Sequence, residues 1–193
     1  MEKKKVESTE TALIEAAKKL LLNCDDWTKV TARAITKEAG VNLAMINYCF
    51  GSKEALIYAV FKNLQEEVKK CKPELDEILH SDMSPKEKLI EGYFQMLRLM
   101  IDYYSMSHSV VKFCVFDRAL EMDDGTFTLL KEHFAGEKTD GECLLIAYEI
   151  ASVHELMAYR YKELQEKCNI DLTDDEVLKR IITENINKLI KEG

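Results

Sequence analysis

Glycine and proline are scarce, seven and two residues in a chain of 193. Few turns can be built from so few breakers, while Leu, Ile, Ala, Lys and Glu abound, so the composition points to an all-α protein. No apolar run approaches the ~20 residues of a membrane span. The N-terminus MEKKKVESTE is basic with no apolar stretch behind it. No export signal is expected there, and the expected location is cytoplasmic. The six cysteines form no C-x-x-C pair, and buried or partly buried free thiols are the expectation. There is no glycine-rich phosphate loop and no nucleophile motif. Glu77-x-x-His80 is half of a di-iron carboxylate signature whose second half is missing. His108, His133, His154, Cys114 and Cys143 lack the spacing of a closed metal site. An enzyme, a metal and a cofactor are therefore not expected.

Apolar residues make up 47% of the chain, ample for a core, and the net charge is −8. That charge is unevenly spread. Residues 1–55 hold nine Lys/Arg against eight Asp/Glu, a net of +1, which leaves −9 for the rest. The acid lies away from the N-terminal part, where Thr31 to Lys53 forms the most structured pattern in the sequence.

That stretch predicts a short helix, a tight turn and a second short helix. Thr31 caps the first, with Ile35 and Ala39 inward. Gly40 ends it, and Asn42 caps the second. At about 100° per residue, Ile46 and Phe50 face the core. Ala44, Met45 and Tyr48, with Leu43 and Asn47 at the margins, form an uncharged opposite edge. Gly51-Ser52 breaks the helix, Ser52 caps the next, and Lys53 sits beside that helix start, where a phosphate would account for it. The pattern is that of a helix-turn-helix for reading double-stranded DNA.

Helix ETALIEAAKKLL, followed by WTKVTARAITKEAGVNLAMINYCFGSKEAL, resembles the DNA-binding domain of the TetR family of transcriptional regulators, over Leu20 to Leu56. The resemblance implies an N-terminal three-helix helix-turn-helix domain (1–52) and a C-terminal helical bundle for effector binding and dimerisation (53–193). It implies that Thr31 and Lys53 contact phosphate, Arg33 base edges, and Tyr48 the backbone. Asn42, Leu43, Ala44, Met45, Asn47 and Tyr48 then belong to the recognition helix. The sequence departs from the family pattern at Asp26 (usually Gly), Thr36 (usually Ala) and Cys49 (usually His or an aromatic). The implied function is a ligand-responsive regulator, most often a repressor, that binds a pseudo-palindromic operator as a homodimer. The alternatives are a small-molecule-binding dimer with decayed DNA binding, motivated by Cys49 and the weak positive charge, or a metal or redox sensor.

Along the rest of the chain, residues 1–7 are expected as a loose arm, a helix from Ser8 or Thr9, and Trp27 as a plug. A helix from Ser52 runs toward Lys70 and ends by Pro73. Ser84-Pro85-Lys86-Glu87 is a capping box opening an almost wholly apolar helix to about Ser107. Short helices follow over Val110–Leu120 and Thr126–Phe134, separated by a turn at Asp123-Asp124-Gly125 and closed by Gly136. Two long helices finish the chain. One covers about 141–168; the other, about 173–191, opens with a Thr173–Glu176 capping box. By the resemblance these two form the homodimer interface. Aromatics and methionines of the second domain suggest a cavity for a small apolar or aromatic effector, with Tyr93, Met96, Met100, Tyr103, Phe113, Phe116 and Tyr148 as candidates.

Overall fold

The computed structural model describes residues 2–24, 29–71, 81–119 and 125–190. These form helices α1 (Glu2–Leu22), α2 (Ala32–Ala39), α3 (Ala44–Phe50), α4 (Lys53–Cys71), α5 (Pro85–Asp102), α6 (Tyr104–Lys112), α7 (Gly125–Phe134), α8 (Asp140–Tyr159), α9 (Tyr161–Cys168) and α10 (Asp175–Leu189). A single π-helical turn, Phe113–Asp117, follows α6. No strand occurs among the described residues, as the composition implied. Asp26, Trp27, Pro73, Glu77, His80, Leu120, Asp123 and Asp124 lie outside them.

The chain divides into two compact units, Met1–Val68 with Tyr103–Asp117, and Lys69–Asp102 with Arg118–Gly193. The first unit extends past the expected boundary at residue 52. Leu56, Ile57, Val60, Phe61 and Leu64 of α4 are all buried, and Lys18 of α1 pairs with Glu67. Tyr58 of α4 meets Phe113 with ring centroids 5.1 Å apart. In α1, Leu13, Ala16, Ala17 and Leu21 recur at three and four residues and make the stripe on which α2 and α3 pack. The helix begins at Glu2 rather than at Ser8 or Thr9. Lys and Glu are good helix formers, and neither glycine nor proline interrupts the segment from Glu2 to Thr9.

In the second unit α5 packs against α7, α8 and α10, the central place its apolar surface predicts. Its capping box is present: Glu87 accepts from the Ser84 N–H at 2.8 Å and returns its own N–H to the Ser84 hydroxyl at 3.3 Å. The helix stops short of Ser107, because Tyr103 (φ −106, ψ 43) leaves helical geometry. That shifts the following segment: α6 starts at Tyr104 and gives way to the π turn, where one helix over Val110–Leu120 was expected. The expected single helix over 141–168 is likewise two, divided at Arg160 (φ −106, ψ 15). Its start is fixed by a second capping box, Thr139 with Glu142. The last helix is not capped by Thr173. That hydroxyl donates to Asp171 at 2.6 Å, and the Asp174 carboxylate accepts the N–H groups of Glu176 and Val177.

Candidate nucleic-acid interface

Each residue between α1 and α4 has a local reason for its conformation. Thr31 is extended, and its Oγ1 accepts the Ala34 N–H at 3.1 Å. Gly40 is left-handed (φ 68), which a side chain would strain, and its N–H closes on the last carbonyls of α2. Val41 turns back through an N–H to the Thr36 carbonyl at 3.0 Å. The Asn42 side chain accepts the Ala44 N–H at 2.9 Å. Thr36, one of the departures from the family pattern, is buried but satisfied, its hydroxyl reaching the carbonyls of Ala32 and Arg33. Gly51 (φ 78) ends α3, and Ser52 then accepts the Ala55 N–H at 3.0 Å.

These turns present one side of α3 to the core and one outward. Ile46 is buried and Phe50 half-buried. On the other side Leu43 is 45% and Tyr48 68% exposed; Ala44 and Asn47 are exposed, and Met45 is half-buried. Asn47 makes no side-chain hydrogen bond among the described residues. Cys49 is half-buried, its thiol pushed up by burial and then by the nearby Glu10 carboxylate of α1, so it stays protonated at neutral pH.

Cationic groups lie on the helices before and after α3. Arg33 is exposed on α2. The Lys53 ammonium donates to the Val30 carbonyl at 3.4 Å, which sets it beside Thr31 and the N-terminus of α2. Thr31 uses its oxygen as an acceptor for Ala34 and keeps its O–H proton to donate. A hydroxyl, an ammonium and the free N–H groups of a helix start are the groups that hold a phosphate.

The expected effector residues are divided between the units. Tyr93, Met96, Met100 and Tyr148 lie in the second, and Tyr103, Phe113 and Phe116 in the first. Tyr93 and Met100 are buried, Met96 is half-buried, and Tyr148 is 43% exposed. Tyr103 and Phe113 are half-buried, whereas Phe116 is 75% exposed. The Tyr93 hydroxyl shares a hydrogen bond with Thr126 at 3.1 Å, and its ring lies 4.8 Å from that of His154.

His154 is a functional candidate that no spacing pattern in the sequence signals. It is wholly buried, and burial lowers its pKa. The neutral ring donates Nδ1–H to the Ile150 carbonyl at 2.7 Å, which leaves Nε2 as a buried acceptor without a partner. Among the described residues no three His, Cys, Asp or Glu side chains converge as a metal site. Cys143 is buried with its thiol pushed up, first by burial and then by Asp140, while Cys71 and Cys168 are exposed, contrary to the expectation of buried thiols. No described helix is long and apolar enough to cross a membrane.

Residues 13–60 match the family model of bacterial regulatory proteins, tetR family. No curated protein matches the chain. Among solved structures, a TetR transcriptional regulator from Rhodococcus sp. RHA1 superposes with a TM-score of 0.59 at 15% identity, covering 96% of this chain and 97% of that one. The TetR family repressor AlkX from Dietzia sp. strain DQ12-45-1b, implicated in biodegradation of n-alkanes, does so with a TM-score of 0.53 at 19% identity, covering 93% and 95%. Residues 13–60 of this chain are thus similar to the tetR family of bacterial regulatory proteins, and the chain as a whole shares the fold of these two regulators.

Proposed function

We propose that the protein is a ligand-responsive transcriptional repressor that binds a pseudo-palindromic operator as a homodimer. The observation that carries this is the outward edge of α3. It is uncharged, it begins with a small residue that allows close approach, and Arg33, Thr31 and Lys53 lie at the ends of the helices that flank it in sequence. A helix entering a major groove needs that combination of slim surface, base-edge amide and flanking phosphate donors. Thr31, Lys53 and Tyr48 are the proposed phosphate contacts. Arg33, Leu43, Ala44, Met45 and Asn47 are the base-side group, with Asn42 holding the start of α3.

Support for a dimer comes from α8, which is apolar on two sides. Cys143, Ala147, Ile150, His154 and Ala158 face the unit's core. Leu145, Tyr148, Val153 and Leu156 are each more than two-fifths exposed. An apolar row of this kind on a long helix suits self-association by a two-fold axis, with α8 to α10 as the proposed interface. An effector site is proposed within the second unit, around Tyr93, Met96 and Met100. The unpartnered Nε2 of His154 favours an apolar molecule that carries an O–H or N–H donor. Effector binding would favour a spacing of the paired recognition helices that no longer fits successive major grooves, ~34 Å apart.

The test is binding of the full-length protein to the DNA upstream of its own gene, followed by gel mobility shift. Retardation at low salt that yields to specific rather than random competitor is expected. Absence of any retardation would leave a small-molecule-binding dimer in its place.

A further inference from the structure

We infer that α3 reads an A·T-rich half-site, with a G·C pair tolerated only where Arg33 or Lys37 of α2 reaches. The inference rests on the DNA-binding role proposed above and concerns which sequence that same edge accepts. Guanine is read chiefly by a bidentate Arg or Lys, and cytosine by an Asp or Glu carboxylate. From Val41 to Ser52 there is no charged residue at all, so α3 carries none of these groups. Arg33 is the only arginine between Lys29 and Lys53, the Lys53 ammonium is turned to the Val30 carbonyl, and exposed Lys37, one turn along α2 from Arg33, is the other cation of that helix.

What α3 does offer matches the other base pair. Leu43 is 45% exposed and Ala44 lies beside it at the start of the helix. Exposed aliphatic groups there gain by covering the C5-methyl of thymine, the one apolar feature in the major groove. Adenine is recognised by an amide that accepts from N6–H and donates to N7 at once. Two asparagines could do this, and the structure separates them. The Asn42 oxygen already accepts the Ala44 N–H at 2.9 Å. Asn47 is exposed, one turn on, with no side-chain hydrogen bond among the described residues. Leu43 and Ala44 are therefore assigned to thymine methyls and Asn47 to an adenine.

The experiment is selection from a randomised duplex library with the full-length protein, followed by titration of the enriched duplex. Inverted repeats with A·T pairs at the centre of each half-site are expected. Replacing a contacted thymine by deoxyuridine, which removes only the methyl, should weaken binding about fourfold, and Leu43→Ala should abolish that difference. Asn47→Ala should lose preference for one adenine by about tenfold. Enrichment of repeats with G·C pairs at those central positions, or indifference to deoxyuridine, would overturn the inference while leaving the regulator intact. No enriched motif at all would overturn both.

Discussion

Thr31 has an observed role and a proposed one, which one substitution can separate. Its Oγ1 accepts the Ala34 N–H at 3.1 Å and so caps α2, and its remaining proton is the one proposed to donate to a phosphate. Aspartate caps a helix as well as threonine does, and its charge gains from the helix N-terminus by about 0.3–1 kcal/mol. Thr31→Asp should therefore melt no lower than the native protein. Thr31→Ala loses the cap, about 1 kcal/mol, and should melt roughly 2–4 °C lower for a chain of this size. On DNA the order changes. A carboxylate ~5 Å from a phosphate is repelled by about 1 kcal/mol even at the permittivity of water, so two subunits lose about 2 kcal/mol, roughly thirtyfold in affinity. Thr31→Ala loses only a hydrogen bond at each site and should bind DNA better than Thr31→Asp. Differential scanning calorimetry and anisotropy on the selected duplex read the two properties separately. If Thr31→Asp bound DNA like the native protein, the start of α2 would not face a phosphate.

The paired change Leu145→Glu and Leu156→Glu should convert the proposed dimer to monomer in sedimentation velocity, since each half-exposed leucine is worth about 1 kcal/mol of burial and counts twice by symmetry; an unchanged dimer would place the interface elsewhere. Arg33→Ala should narrow the gap in affinity between selected and random duplex without abolishing binding, and an unchanged gap would remove Arg33 from the base-reading group. His154 has a folded pKa below its unfolded value of about 6.5, so the unfolded chain binds its proton first. Stability should accordingly be full above pH ~6.5 and fall as pH drops below it, by at most about 1.4 kcal/mol per pH unit from this group. Denaturant titrations of His154→Phe should lack that part of the slope between pH ~5 and 6.5, where carboxylates such as Glu91, Glu142 and Asp171 remain ionised, their pKa values being lowered.

The helix-turn-helix was legible because its conformation is written in local chemistry. Thr31, Gly40, Asn42 and Ser52 each do in the structure what their side chains dictate over two or three residues. Helix breaks without a breaker were not legible. Tyr103 and Arg160 leave helical geometry with neither glycine nor proline to announce it, so packing rather than propensity sets those ends. The Thr139–Glu142 box has the same form as Ser84–Glu87, yet it was not read from the sequence, and that helix was expected only from about 141. At Thr173 spacing misled, because Asp171 competes for the hydroxyl. Periodicity identifies apolar faces but not what covers them. Tyr148 shares a helix with buried Ile150 yet lies on the exposed row with Leu145, and Phe116 on its π turn is more exposed still. The orphaned Nε2 of His154 depends on which carbonyl its ring finds one turn earlier, which no spacing rule encodes.

The most direct test of a phosphate-gripping, groove-reading edge is the salt dependence of DNA affinity for the native protein and Lys53→Ala. If Lys53 of each subunit neutralises one phosphate, the slope of log affinity against log salt should be shallower in the variant by about 1.8 for the dimer, with selected and random duplexes affected alike. Parallel slopes for the two proteins would contradict the placement of α2, α3 and the start of α4 on DNA.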